Sequence, residues 1–331
     1  MKRPRRPRVF VTQPISDSAM ARLRKLATIE VNKDSSKPIP KKALITGVKS
    51  CDILFSLLHD KVDRAVIEAN PKLRMVASMS ITPDNTDVAA ATAHKVPVTV
   101  VPALAVESTA DIAFALLLAV ARRVVEGDHM VRKGGFPGSQ SAHLLGGSVA
   151  GKTIGLVGGK GRIGKAVARR AQGFGMRVLY WGPRRMPEAD ERALGMTYAP
   201  FDDLLAQSDF VSLHSAMKPE TFHQIGAREL KLMKRTAFLI NTARGPVVDE
   251  AALVRALKAR QIAGAGLDVF EREPKIEEGL RKLTNVVMTP HLGSASADTR
   301  DAMANTVVDN IEAFLAGRRP PNIVNPEVLA K

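Results

Sequence analysis

Apolar residues along the chain fall into two alternating rhythms. Short, nearly continuous apolar runs, "RVFVT" (8–12), "CDILFS" (51–56), "LRMVASM" (73–79) and "VPVTVV" (96–101), have the length and β-rich composition of buried strands. Between them "SAMARLRKL" (18–26), "KKALITGV" (41–48) and "VDRAVIEA" (62–69) repeat their apolar positions at helical spacing. A second series starts at "KTIGLVG" (152–158) and runs through "MRVLYW", "SDFVSLH", "TAFLIN", "IAGAGLDVF" and "NVVMTP", with helical patterns between most of these runs.

Strand and helix in alternation predict parallel sheets covered by helices on both faces. The expected fold class is therefore α/β, with two doubly wound parallel-sheet domains of Rossmann-like or flavodoxin-like type and a cleft between them. Residues 106–125, "VESTADIAFALLLAVARRVV", read as one long helix with acids early and arginines late, an order that complements the helix dipole. The Gly- and Ser-rich stretch 132–148 reads as a loop or linker, and 299–317 as the last helix.

Composition narrows the picture. A chain of 331 residues suggests two domains, and 45% hydrophobic with 25% charged residues is the balance of a soluble globular protein. The lone Cys51 excludes an intrachain disulfide, and its apolar surroundings predict a buried, inert thiol. The run "IAFALLLAV" (112–120) is too short to span a bilayer, which takes about 20 residues. "MKRPRRPR" has the charge of a signal sequence but no apolar segment behind it, so cytoplasm is the expected compartment. The net charge of +16 suits either nucleic acid or an enzyme of anionic ligands. Lys2, Arg3, Arg5, Arg6 and Arg8 cluster, but the remaining excess is scattered with no basic motif interleaved by aromatics, so neither nucleic acid nor membrane is an expected partner.

"GKGRIG" (159–164) satisfies the G-x-G-x-x-G pattern in the right setting, after the strand "TIGLV" and at the start of a helix. Glycines at 159, 161 and 164 let the turn close and the backbone approach a pyrophosphate, which the first helical amides, those of Arg162 and Ile163 among them, would hold. About 20 residues beyond the first glycine an NAD site needs a carboxylate for the ribose 2′-hydroxyl. Positions 176–187 contain none; they contain Arg184 and Arg185. Two arginines there suit a 2′-phosphate. NADP(H) is thus the preferred cofactor and NAD(H) the second choice, unless the pair is simply exposed charge.

The second series ends its strands with polar groups: Arg244 in "INTARG", Asp268 and Glu273 in "LDVFEREP", His291 in "TPHLGS". Together with "LVGGKGRIG", "SDFVSLH", "ELKLMKRTAFLINTARGPVVDEAALVRAL" and "NVVMTPHLGSAS", these motifs resemble the D-isomer-specific 2-hydroxyacid dehydrogenase family, and within it the glyoxylate/hydroxypyruvate reductases. The resemblance implies that Arg244 binds the substrate, Glu273 supports the histidine and His291 is the catalytic acid/base. It also implies cofactor roles for His214, Thr242, Asp268 and Gly293. The chemistry is coherent: a planar Arg fork holds a 2-oxo acid's carboxylate, and an imidazolium protonates the carbonyl oxygen as hydride reaches the carbon. A carboxylate on the other ring nitrogen orients the imidazole. No Cys/His cluster has metal spacing, so no metal is expected.

Two departures from the family pattern stand out. The glycine loop is one residue longer, with Gly158 and Gly159 before Lys160. The substrate loop "SMSITPDNTD" (78–87) has Ile81, Thr82 and Pro83 where the family places a glycine-containing pair; Ile81 and Thr82 take the substrate-binding positions, while Pro83 has no N–H to offer. The expected division is a substrate-binding domain at 1–103, completed by 292–331, and a dinucleotide-binding domain at 104–291, with the family's homodimer formed through the latter. The expected function is NADPH-linked reduction of a small 2-oxo acid to the D-2-hydroxy acid. The alternatives are a family dehydrogenase for another anion, such as a sugar-derived 2-oxo acid or phosphite, and a dinucleotide-sensing co-regulator.

Overall fold

The computed structural model describes residues 5–34 and 36–329. It divides the chain into two compact units, Met1–Leu104 with Ser296–Lys331, and Ala105–Ala295. Of the basic N-terminal cluster, Lys2 and Arg3 lie outside the described residues, and Arg8 pairs with Glu30 at 3.4 Å.

The first unit is a five-stranded parallel sheet: β1 (Arg8–Val11), β2 (Thr28–Val31), β3 (Ile53–Ser56), β4 (Met75–Ser78) and β5 (Val98–Thr99), in the order β2-β1-β3-β4-β5. This is the flavodoxin-like order. The central strands "ILFS" and "MVAS" are buried at every position, as a sheet covered on both faces requires. One face packs on the helices Asp17–Leu26 and Ala297–Leu315, which Arg22 also links through Asn305 and Asp309. Asn325 returns the C-terminal segment to this sheet, accepting the Val98 amide at 2.8 Å and donating to the Val96 carbonyl at 3.0 Å. Cys51 is buried here, and burial pushes its thiol up to about 12.

The second unit is a seven-stranded parallel sheet: β6 (Thr153–Val157), β7 (Arg177–Trp181), β8 (Met196–Tyr198), β9 (Phe210–Leu213), β10 (Phe238–Asn241), β11 (Gly264–Leu267) and β12 (Val286–Met288). Read from β8, the order is β8-β7-β6-β9-β10-β11-β12, the Rossmann order with one further strand. Neighbouring elements reverse direction of travel across the sheet between β6 and β9, the place where such sheets bind ligands.

The expectation of one helix over 106–125 is corrected. The helix Val106–Ala121 ends, Arg123 adopts φ 55°, and a second helix, Val124–Arg132, begins. An arginine in the left-handed region is uncommon, and neither glycine nor proline marked the break. Among the described residues no helix is long and apolar enough to cross a membrane.

Candidate active site

The longer glycine loop closes as a turn beyond β6. Gly158 adopts φ +82° and donates its N–H to Trp181 O at 2.9 Å, and the Gly161 N–H reaches Gly158 O at 2.9 Å. The extra residue is thereby absorbed before Gly161, which precedes the helix Arg162–Gly173. Gly159 has no room for a side chain: a Cβ there would lie 2.7 Å from Tyr180 Cβ and 2.9 Å from Leu156 Cβ. Lys165 is the residue whose amide bonds back to Gly161 O, so the amides of Arg162, Ile163 and Gly164 come before it at the positive end of a three-turn helix.

Two buried polar atoms beyond the neighbouring strands have no hydrogen-bond partner among the described residues: Nδ1 of His214, just past β9, and Oγ1 of Thr242, just past β10. Polar groups buried in this way ordinarily have a hydrogen-bonding partner, and a bound ligand is one source of it. The His214 ring is fixed through Nε2, 3.0 Å from Ser212 Oγ, and burial lowers its pKa to about 4. The imidazole is therefore neutral near pH 7. Glycine turn, open helix terminus and unpartnered His214 and Thr242 together fit a dinucleotide.

The arginine pair is not two equivalent charges. Arg184 is exposed. Arg185 sits in a two-point fork on Glu191, Nε to Oε1 and Nη2 to Oε2, both 2.8 Å. Positions 176–187 hold no carboxylate, yet one does stand beside Arg185, brought there by the helix Glu188–Ala193. Sequence reasoning missed Glu191 because it stops being one acid among several only when the helix turns it inward.

The remaining groups follow β10, β11 and β12, which are neighbours in the sheet. Arg244 lies in an extended conformation after β10, its loop held by Asn241, which accepts from the Ala243 amide and donates to Arg244 O. The next residue must be glycine, because a Cβ on Gly245 would stand 1.9 Å from the Phe270 carbonyl carbon. Glu273, after β11, accepts the Phe270 amide through Oε1 at 2.9 Å, and its Oε2 lies 2.9 Å from His291 Nδ1. His291, after β12, has φ 56°. Asp268 is buried and accepts the amides of Leu292 and Gly293 and the hydroxyl of Thr289. Its contacts make it the anchor of the loop that carries His291, a role that sequence reasoning did not assign to it.

Ile81 and Thr82 belong to the first unit. Ile81 is partly buried against its core, and Thr82 Oγ1 donates to Asp84 Oδ2 at 2.6 Å. Neither adopts positive φ. The loop is braced from behind by Asn85, which donates to the carbonyls of Leu57 and Asp60.

Residues 114–293 match the family model of the D-isomer specific 2-hydroxyacid dehydrogenases, NAD binding domain. The chain is 51% identical over 326 residues to a glyoxylate reductase of Korarchaeum cryptofilum, covering 98% of this chain and 97% of that protein. It is 48% identical over 328 residues to a glyoxylate reductase of Thermococcus litoralis, covering 98% of both. Among solved structures it is similar, with a TM-score of 0.76 and 32% identity over 97% of each chain, to an NADPH-dependent glyoxylate/hydroxypyruvate reductase from Sinorhizobium meliloti in complex with NADP and malonate.

Proposed function

Because the chain belongs to the D-isomer specific 2-hydroxyacid dehydrogenase family and is an NAD(P)-dependent oxidoreductase, we propose that it reduces a small 2-oxo acid of the glyoxylate or hydroxypyruvate kind to the D-2-hydroxy acid, preferring NADPH to NADH. The observation that carries the reading is the 2.9 Å contact of His291 Nδ1 with Glu273 Oε2. It commits one ring nitrogen to the carboxylate and fixes the plane of the ring, and the reading assigns the substrate to the other, Nε2.

In this reading Arg244 holds the substrate carboxylate and polarises the carbonyl with the same planar fork. The bound cofactor supplies hydride. His291 delivers a proton from Nε2 to the carbonyl oxygen as negative charge grows there, and in the reverse direction takes it from the hydroxyl. Glu273 keeps the ring turned toward that oxygen. Gly159, Gly161 and Gly164 admit the pyrophosphate to the amides of Arg162 and Ile163. His214, Thr242, Asp268 and Gly293 line the nicotinamide end, and Arg184 and Arg185 meet the 2′-phosphate. Ile81 and Thr82 contribute the first unit's share of substrate binding.

The second unit is also the proposed dimer surface. The helix Val124–Arg132 buries none of its residues, and Val131, Phe136 and Leu145 are 57%, 82% and 66% exposed. Exposed apolar side chains within 124–145 are the surface assigned to a second copy of the chain in this reading. Sedimentation should give a dimer that Val131→Glu dissociates.

Initial rates of NADPH and NADH consumption with glyoxylate and hydroxypyruvate test the reading, in wild type and in Arg184→Asp/Arg185→Ala. A strong preference for NADPH that collapses in the variant supports it. Equal use of both cofactors removes the phosphate assignment, and no turnover with either acid removes the substrate assignment.

A further inference from the structure

The turn 182–187 is built around one carboxylate. Glu191 is 8% exposed at its side chain, whereas its helical neighbours Glu188 and Asp190 are exposed. Its Oε1 takes both the Arg185 Nε–H and the hydroxyl of Tyr180, the latter at 2.5 Å. Tyr180 is among the largest fully buried side chains and accepts the Met186 amide at 2.7 Å. Arg185 Cζ also lies 5.8 Å from the centre of the Tyr198 ring. The guanidinium is thus fixed from two sides while 54% of the side chain remains exposed. Of its three nitrogens, Nε and Nη2 are engaged by Glu191, which leaves Nη1 as the one outside the fork.

We propose that Glu191 is a positioning residue for the cofactor: through the Tyr180–Glu191–Arg185 chain it holds Arg185 in the single orientation that presents Nη1 to the 2′-phosphate. The proposal rests on the NADP(H) reading above and deepens it. Preorganisation is the physical gain. A free arginine gives up rotamer entropy when it settles on an anion, and one already held gives up less. Arg185 and Tyr180 together keep the Glu191 carboxyl down to about 2, so the carboxylate that holds the fork is ionised near pH 7. Arg184, exposed on the same turn, supplies the second, unfixed charge.

The test is calorimetric binding of adenosine 2′,5′-bisphosphate and of 5′-AMP, which differ only in the 2′-phosphate, to wild type, Arg185→Ala, Glu191→Gln and Tyr180→Phe. KM and kcat with each cofactor accompany it. Glu191→Gln is expected to weaken the bisphosphate about tenfold and leave 5′-AMP within twofold, raising KM for NADPH without changing kcat or KM for NADH. Tyr180→Phe, which removes one hydroxyl, is expected to act in the same direction by a smaller factor, and it carries the test if Glu191→Gln does not fold. Equal or tighter bisphosphate binding by Glu191→Gln, with binding lost in Arg185→Ala, would overturn the positioning role while keeping the phosphate reading. Equal weakening of both nucleotides would make Glu191 a purely structural residue. Unchanged bisphosphate binding in Arg185→Ala would overturn this proposal, and unchanged binding in Arg184→Asp/Arg185→Ala would overturn the NADP(H) reading as well.

Discussion

Asp268 holds Gly293 by accepting its backbone N–H through Oδ2 at 2.8 Å, while its Oδ1 takes the Leu292 amide at 2.7 Å and the Thr289 hydroxyl at 2.6 Å. One buried carboxylate therefore ties the end of β11 to both flanks of His291. Its own amide, bonded to Asn241 O, extends the tie to β10 and the loop of Arg244. The three proposed catalytic groups thus share a scaffold of hydrogen bonds rather than three separate loops.

Asp268→Asn should show this. An amide can accept at one oxygen only, and its NH2 would face the backbone donors. Hydrogen bonds to a charged group contribute about 1.5–3 kcal/mol each, and the loss of one is the expected fall in unfolding free energy. Denaturant titration measures it. A variant as stable and as active as wild type would show that the loop is held elsewhere.

Glu273→Gln and His291→Asn separate orientation from proton transfer. Loss of the proton donor should lower kcat by about 10²–10⁴-fold. Glu273→Gln keeps the size and one hydrogen bond, so a smaller fall in kcat is expected, with KM for the oxo acid little changed. A larger loss in KM than in kcat would place Glu273 in substrate binding instead.

Arg244→Lys preserves charge and removes the fork. The prediction is a rise of about tenfold or more in KM for the oxo acid, the equivalent of one charge-assisted hydrogen bond. Cofactor affinity, read by fluorescence titration, should stay where it is.

Two glycines near opposite ends of the same helix, Gly159 before it and Gly173 its last residue, give a paired test. Gly159→Ala puts a methyl group 2.7 Å from Tyr180 Cβ and should cost about 1–3 kcal/mol along with dinucleotide affinity. Gly173→Ala meets nothing within 4 Å at the helix end and should be neutral or stabilising by up to about 1 kcal/mol. Thermal melts with and without NADPH distinguish them.

His214 predicts a pH dependence of stability. Burial lowers its pKa to about 4 in the folded chain, against an ordinary value of 6.5. Between these values the unfolded chain binds the proton and the folded chain does not, so stability is full above pH 6.5 and falls as pH drops toward 4. From about pH 7 to about pH 5 the loss from this residue is up to about 2 kcal/mol, less wherever solvent reaches the ring. His214→Gln should remove that part of the slope in urea titrations, and identical slopes in the two proteins would dismiss it.

What the sequence disclosed follows from where each element sits. Central strands such as "ILFS" and "TIGLV" are buried on both faces, so they stand out as apolar runs. The strands "TIEV" (β2) and "MTY" (β8) lie at sheet edges, where half the positions face solvent, and no apolar run announces them. The glycine loop was legible because its geometry demands a residue type. The break at Arg123 was not, since the chain there adopts a left-handed conformation without the glycine that ordinarily signals one. Glu191 was illegible for a related reason: a buried acid has the same letter as an exposed one, and only the partner Tyr180 tells them apart.

The bond between Val98 and Asn325 spans 227 positions of chain. A nascent polypeptide emerging from the ribosome completes the seven-stranded unit while the five-stranded one still lacks the helix Ala297–Leu315 and the segment that Asn325 secures. Strands β1 to β5, made before the seven-stranded unit, are therefore closed into their native surroundings after it, and the long-range closure they await is of the kind that slows folding. Through that interval the face of the first sheet later covered by Met303, Val307 and Ile311 is the apolar surface that cellular holdases would meet.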